Sequence, residues 1–340
     1  MGGQTIVTST NFLSLLLHRQ LKWLIYTLLY LPSAAFGAET GTPYVSNYAD
    51  FGDVKIHYVT TDQFNNPDKK DQPLMLFLHG FPHFWYSWKS QLSAFDDDFR
   101  VVAMDGRGYN LSSKPQHISD YKISKLVEDV NQLSKQLAPN QKIILIGHDW
   151  GGCLAWAFAQ KYPNKVDKLI VENAPPLNLL LQFLQTHEEQ RQASSYMTRI
   201  KSQQGLESLI AEDYALMVRL FDRLIAQGLF TDHDITMYKQ AWSQPKAMES
   251  SINWYRANLP HPDDISEADF WPQREARIDG VSALLIWGED EKVFSQDFLT
   301  VIPQYVENVR IEIFPNTGHS PSTEKADLFN QVMRDFIGDN

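Results

Sequence analysis

Residues 143–156 read IILIGHDWGGCLAW, with Asp149 flanked by Gly147, Gly151 and Gly152. A small-x-nucleophile-x-small string between a strand and a helix makes a sharp turn that holds one side chain out at the end of the sheet. Serine at such a turn attacks acyl carbon. Aspartate suits a different reaction, because its adduct with an acyl group is a labile anhydride. At saturated carbon it forms an ordinary alkyl ester, which water must then cleave. That second step attacks the carbonyl carbon of Asp149 itself. It needs donors for an oxyanion and a base to activate water. The substrate should carry a leaving group on sp³ carbon, such as an epoxide oxygen or a halide. The competing assignment for Asp149 is plain N-capping of the following helix.

Two further stretches supply the companions. LHGFPHFWYSW (78–88) follows an apolar run, and the backbone N–H groups of Phe81 and Trp150 are candidates for one oxyanion hole. His319 lies in FPNTGHSPSTEK (314–325), after the last apolar run, in the order nucleophile, acid, histidine. The acid between them is open on the residues alone: Glu289, Asp290 and Glu291 end one run, and Glu172 ends an earlier one, beside Asn173.

Positioning these residues requires a sheet. VKIHYV (54–59), LMLFLH (74–79), RVVAMD (100–105), IILIGH (143–148), KLIVEN (168–173), ALLIWG (283–288) and VRIEIF (309–314) are apolar, β-branched runs. Several are continuously apolar, as strands covered on both faces are. Helical periodicity falls between them, over 123–137, after Asp149, and over 325–337. The alternation predicts an α/β fold with a mostly parallel, doubly wound sheet. In such sheets ligands bind beyond the carboxyl ends of the strands. Residues 176–275 break the alternation with a long helical pattern and are expected to form an inserted cap. The core is then 38–175 and 276–340.

The motifs HGFPHFWYSW, AMDGRGYNLSSKP (103–115), GHDWGG (147–152), SSYM (194–197) and NWYR (253–256) resemble, in that order, those of the α/β-hydrolase-fold epoxide hydrolases, in particular secreted bacterial-type members. The resemblance runs from about residue 50 to the C-terminus. It implies Asp149 as nucleophile, His319 as general base, and an acid at the end of a Gly-x-x-acid turn. Counting from Gly288 gives Glu291, with Asp290 and Glu172 ranked behind it. It also implies Tyr196 and Tyr255 as hydrogen-bond donors to the departing epoxide oxygen. Trp85, Trp150 and Trp254 are expected to line or support the substrate pocket. The chain departs from the family at Asn110, where glycine is common; asparagine tolerates a left-handed turn.

Two alternatives stay open. Haloalkane and haloacid dehalogenases use the same aspartate, but their usual second halide donor is an asparagine where this chain has Phe81. A secreted binding or virulence factor with secondary catalysis is the reading from another class.

Composition sets the remaining bounds. The 340 residues are 43% hydrophobic and 21% charged, enough for one large core and a lid. A net charge of −11 without a basic run speaks against nucleic-acid binding. One cysteine, Cys153, rules out an intramolecular disulfide and a multi-thiolate zinc cage, and is read as a buried, inert thiol. His57, His79 and His83 show no metal-ligand spacing, so no metal and no organic cofactor is expected. Residues 11–38 read NFLSLLLHRQLKWLIYTLLYLPSAAFGA, where Arg19 and Lys22 precede a short apolar run and a small-residue stretch. This predicts a signal peptide over 1–37, a secreted or periplasmic protein, and no stable membrane insertion after cleavage. The expected partners are an epoxide and water, with a homodimer allowed.

Overall fold

The computed structural model describes residues 44–339. The expected signal segment lies outside the described residues. Eight strands form one sheet: β1 (Tyr44–Asp50), β2 (Lys55–Thr61), β3 (Leu74–Leu78), β4 (Arg100–Met104), β5 (Ile143–His148), β6 (Val166–Glu172), β7 (Ile278–Gly288) and β8 (Val306–Phe314). Their order is β1-β2-β4-β3-β5-β6-β7-β8. β2 runs antiparallel to β1 and β4, and the other neighbours pair in parallel. Every residue of β3 and β5 is buried, which accounts for their unbroken apolar sequences.

In the core, α1 (Lys89–Phe95), α2 (Ile123–Leu137) and α3 (Trp150–Lys161) connect the early strands. Between β6 and β7 the chain passes through α4 (Leu177–Thr186), α5 (Glu188–Ala193), α6 (Ser195–Ile200), α7 (Gln203–Arg219), α8 (Asp222–Ala226), α9 (Asp232–Trp242) and α10 (Ala247–Asn258). The last helices are α11 (Phe298–Val301), α12 (Pro321–Glu324) and α13 (Ala326–Gly338). The helix expected over 123–137 spans those residues, and the one expected over 325–337 is observed one residue later.

The excursion from α4 to α10 is seated on two core loops by buried polar contacts. The Trp242 indole N–H donates to Pro82 O at 2.8 Å, and the Tyr238 hydroxyl meets His83 Nδ1 at 2.7 Å. The Trp254 indole donates to Arg107 O at 2.8 Å. Asn258 donates to Tyr121 O and accepts from the Ile123 N–H. A further clamp joins Asp234, at the start of α9, to the Tyr86 hydroxyl at 3.0 Å and to the Lys89 ammonium. Each contact satisfies polar groups that burial would otherwise leave unpaired.

Candidate active site

Asp149 joins β5 to α3 with φ +52° and ψ −121°, a strained backbone for a residue with a side chain. Glycines permit the turn. A Cβ on Gly151 would meet Leu78 O at 2.2 Å, and one on Gly80 would meet Asp149 Oδ1 at 2.3 Å. The Asp149 side chain makes no capping bond to α3, so N-capping is not its role. Its Oδ1 instead accepts the Phe81 N–H at 2.8 Å. The neighbouring Trp150 backbone N–H also favours the charged carboxylate.

The second oxygen, Oδ2, faces His319 Nε2 at 3.6 Å. The other ring nitrogen, Nδ1, lies 2.6 Å from Glu291 Oε2. Glu291 is buried, and the N–H groups of Val293 and Phe294 hold its other oxygen. The four acids left open by sequence are thus sorted. Asp290 pairs with Arg223 at 3.0 Å, and Glu289 accepts the Asn316 N–H. Glu172 is fully buried, accepts the Ser322 N–H at 2.7 Å, and leaves its second oxygen unpaired. Burial pushes its carboxyl up to about 8.

Charge within the cluster follows from this geometry. Burial opposes ionisation of Asp149, but the hydrogen bond and charge of His319 hold it below the ordinary carboxylate range. Burial likewise opposes a charged His319, yet Glu291 and Asp149 together raise its pKa well above normal. The resting cluster is an imidazolium between two carboxylates. The His319 side chain is 27% exposed, so solvent water reaches it.

Tyr255 of α10 is buried, with its ring 5.1 Å from that of Trp150 and 5.6 Å from that of Phe81. Tyr196 of α6 is half-buried and near enough to Tyr255 that each phenol shifts the other's pKa. Burial, and next the Asp149 charge for Tyr196 and the Tyr196 phenol for Tyr255, raise both phenols, which stay protonated donors at neutral pH. Trp254 backs Trp150, with ring centroids 5.9 Å apart. Trp85 departs from expectation. Its ring contacts are Tyr44, Phe84 and Tyr86, and its N–H donates to Asp105, so it braces the loop instead of lining the pocket.

Two supporting residues were not singled out for what they do here. Asn173, with φ +41°, donates to Gly318 O at 2.9 Å and accepts the Gly288 N–H at 2.8 Å, tying the His319 loop to the turn that carries Glu291. His148 is held neutral by burial, with a pKa of about 4, and its Nε2–H donates to His319 O at 2.7 Å. Position beside a motif was the only sequence signal for either. Cys153 is buried and donates to Pro175 O, consistent with an inert thiol. Among the described residues, His187, Glu189 and Asp297 bring three potential metal-ligand atoms within 4.8 Å of one another. They share no residue with the Asp149 cluster, and His187 already bonds to Asp297.

Comparison with known proteins agrees with this architecture. The alpha/beta hydrolase fold family model matches residues 73–326. Epoxide hydrolase 1 of Caenorhabditis elegans is 40% identical over 298 residues, covering 86% of this chain and 70% of that protein. AB hydrolase superfamily protein YfhM of Bacillus subtilis is 33% identical over 290 residues, 84% of this chain and 98% of that protein. The crystal structure of a Bacillus megaterium epoxide hydrolase in complex with an inhibitor aligns with a TM-score of 0.75 and 31% identity, over 86% of this chain and 99% of that one. With an aspartate at the strand-to-helix turn, a histidine and acid behind it, and helices inserted over the strand ends, the chain belongs to the alpha/beta hydrolase fold family.

Proposed function

We propose that this enzyme hydrolyses epoxides to vicinal diols through an ester on Asp149. The observation that carries the reading is the division of labour at that carboxylate. Oδ1 is held by the Phe81 N–H, while Oδ2 faces His319, in a cluster that also contains two protonated phenols. In the first step Oδ2 attacks a ring carbon and the C–O bond breaks. Tyr196 and Tyr255 hydrogen-bond to the leaving oxygen, and one phenol gives it a proton. The product is a hydroxyalkyl ester.

Ester formation cancels the Asp149 charge, one of the two that keep His319 protonated. His319 then sheds its proton, which balances the one the phenol gave. Neutral His319, oriented by Glu291, takes a proton from water. The hydroxide adds to the Asp149 carbonyl carbon, and the oxyanion forms at Oδ1, where the Phe81 amide already donates and the Trp150 amide is the second candidate donor. Collapse releases the diol and leaves a water oxygen in the carboxylate.

The rings of Phe81, Trp150 and Tyr255 around the nucleophile favour an apolar or aryl substituent on the epoxide. They argue against a halide leaving group, since Phe81 has no side-chain donor. The test is a His319→Gln protein exposed to epoxides and to haloalkanes, then weighed intact. A gain of one whole epoxide, absent when Asp149→Asn is added, supports the proposal. A gain of an alkyl group without its halide makes the enzyme a dehalogenase.

We further propose export, with residues 1–37 removed as a signal peptide; the support is the order of cationic, apolar and small residues over 11–38. N-terminal sequencing of protein recovered outside the cytoplasm tests this, and a retained residue 20 refutes it. Among the described residues, no helix is long and apolar enough to cross a membrane.

A further inference from the structure

A second serine–histidine–aspartate chain lies at the edge of the sheet and shares no residue with the Asp149 cluster. Ser46, on β1, is exposed, and its Oγ lies 2.7 Å from His57 Nε2. His57, on β2, is 1% exposed, and its Nδ1 lies 2.6 Å from Asp105 Oδ2. Asp105 is fully buried and also accepts the Trp85 N–H and an Asn110 Nδ2–H, each at 2.8 Å. Asp105 is thereby fixed as an acceptor. The His57 proton belongs on Nδ1, and Nε2 presents its lone pair to the Ser46 hydroxyl.

That is the sequence of contacts by which a base takes a proton from a nucleophilic serine. The surroundings add two features. Tyr48, two residues along the same face of β1, is 44% exposed, and its ring centroid lies 5.2 Å from that of His57. The Lys55 ammonium sits 4.2 Å from the Tyr48 ring centroid. An exposed aryl ring, itself capped by a cation, thus lies beside a hydroxyl that is already paired with a base.

We propose that Ser46, with His57 and Asp105, forms a second, acyl-accepting site that reacts with activated aryl esters. Ser46 Oγ bonds to the acyl carbon as its proton passes to His57 Nε2. Tyr48, on the same face of β1, offers its exposed ring to the aryl group. The adduct collapses with loss of the phenol, which takes the proton from Nε2. Water then repeats the sequence on the acyl-serine and frees the acid. Because Ser46 lies open to solvent, the site depends on a good leaving group.

The test uses the full chain carrying Asp149→Asn, so that ester chemistry at the first site is removed. It is treated with an alkyl fluorophosphonate and mapped by peptide mass, and its p-nitrophenyl acetate turnover is measured. The expected result is modification of Ser46 about a hundredfold faster than of the exposed Ser208 and Ser243, the gain typical of a positioned general base. Turnover should disappear on adding Ser46→Ala, a change at an exposed position. A folded His57→Gln protein should label Ser46 no faster than Ser208. Equal labelling of Ser46 and Ser208 in the parent chain overturns the proposal, as does unchanged labelling in folded His57→Gln. If His57→Gln fails to fold, the Ser46-to-Ser208 ratio decides alone.

Discussion

Asp149 carries a charge that His319 and both phenols feel, and the first chemical step removes it. The free enzyme holds His319 as an imidazolium because two carboxylates outweigh its burial. In the ester only Glu291 remains, so the His319 pKa falls and the base becomes available when it is needed. Decay of the ester should therefore rise with pH through a titration lower than that of His319 in the free enzyme. Single-turnover decay rates across pH, set against a histidine NMR titration of the resting protein, check this; coincident midpoints contradict it. Glu291→Gln removes the anionic partner 2.6 Å from Nδ1. It should leave the ester-forming burst in place and slow ester hydrolysis by roughly 10²–10⁴-fold. Loss of the burst itself would mean that Glu291 acts on the first step. Tyr255→Phe should do the opposite, slowing the burst and sparing decay of the ester.

At the scale of elements, one carboxylate adds to the Trp242 and Tyr238 contacts that hold α9 to the core. Asp234 accepts from Thr231 within a capping box and reaches Tyr86 and Lys89 across the interface. Burial opposes its charge, but Lys89 and Thr231 hold its pKa at about 2. The Lys89 side chain is 37% exposed, so solvent discounts the ion pair and the cap dominates. Asp234→Asn should lower stability by about 1–2 kcal/mol and Tm by a few degrees. A calorimetric scan with no change would show that the latch is not structural. The elements also show what a linear sequence conveys. The seven apolar runs all became strands; β3 and β5, buried on both faces, leave an unbroken signal, whereas the edge strand β8 is half-exposed. β1 was missed, since YVSNYAD is half-exposed and polar, and its strand character comes from pairing with β2. Asp149 and His319 were legible from motif order, Glu291 only through the family resemblance that ranked it ahead of Asp290 and Glu172, and the structure brings the three together. Trp85 was misread because a position in an aromatic run does not reveal which way a ring turns.

Across the whole molecule, Glu172 is a carboxyl whose protonation the fold controls. Its pKa rises on folding from the usual 4.5 to about 8. Between those values the unfolded chain releases the proton and the folded chain keeps it, so stability falls as pH climbs from 4.5 to 8. This one group contributes at most about 5 kcal/mol to that difference. Glu172→Gln keeps an acceptor for the Ser322 N–H and should flatten the difference in unfolding free energy between pH 5 and pH 8. An unchanged slope by urea titration would show that the carboxyl is ionised in the fold. Nothing in residues 166–172 distinguished this buried glutamate from a surface one; its environment is made by the distant α12. The central claim, a covalent ester on Asp149, is tested most directly by one turnover in ¹⁸O-water with enzyme in excess over an aryl epoxide. The account predicts diol free of ¹⁸O and one ¹⁸O atom in the Asp149 carboxylate, because water attacks the ester carbonyl. Diol that carries ¹⁸O from the first turnover, with Asp149 unlabelled, would mean direct attack of water on the epoxide and would contradict it.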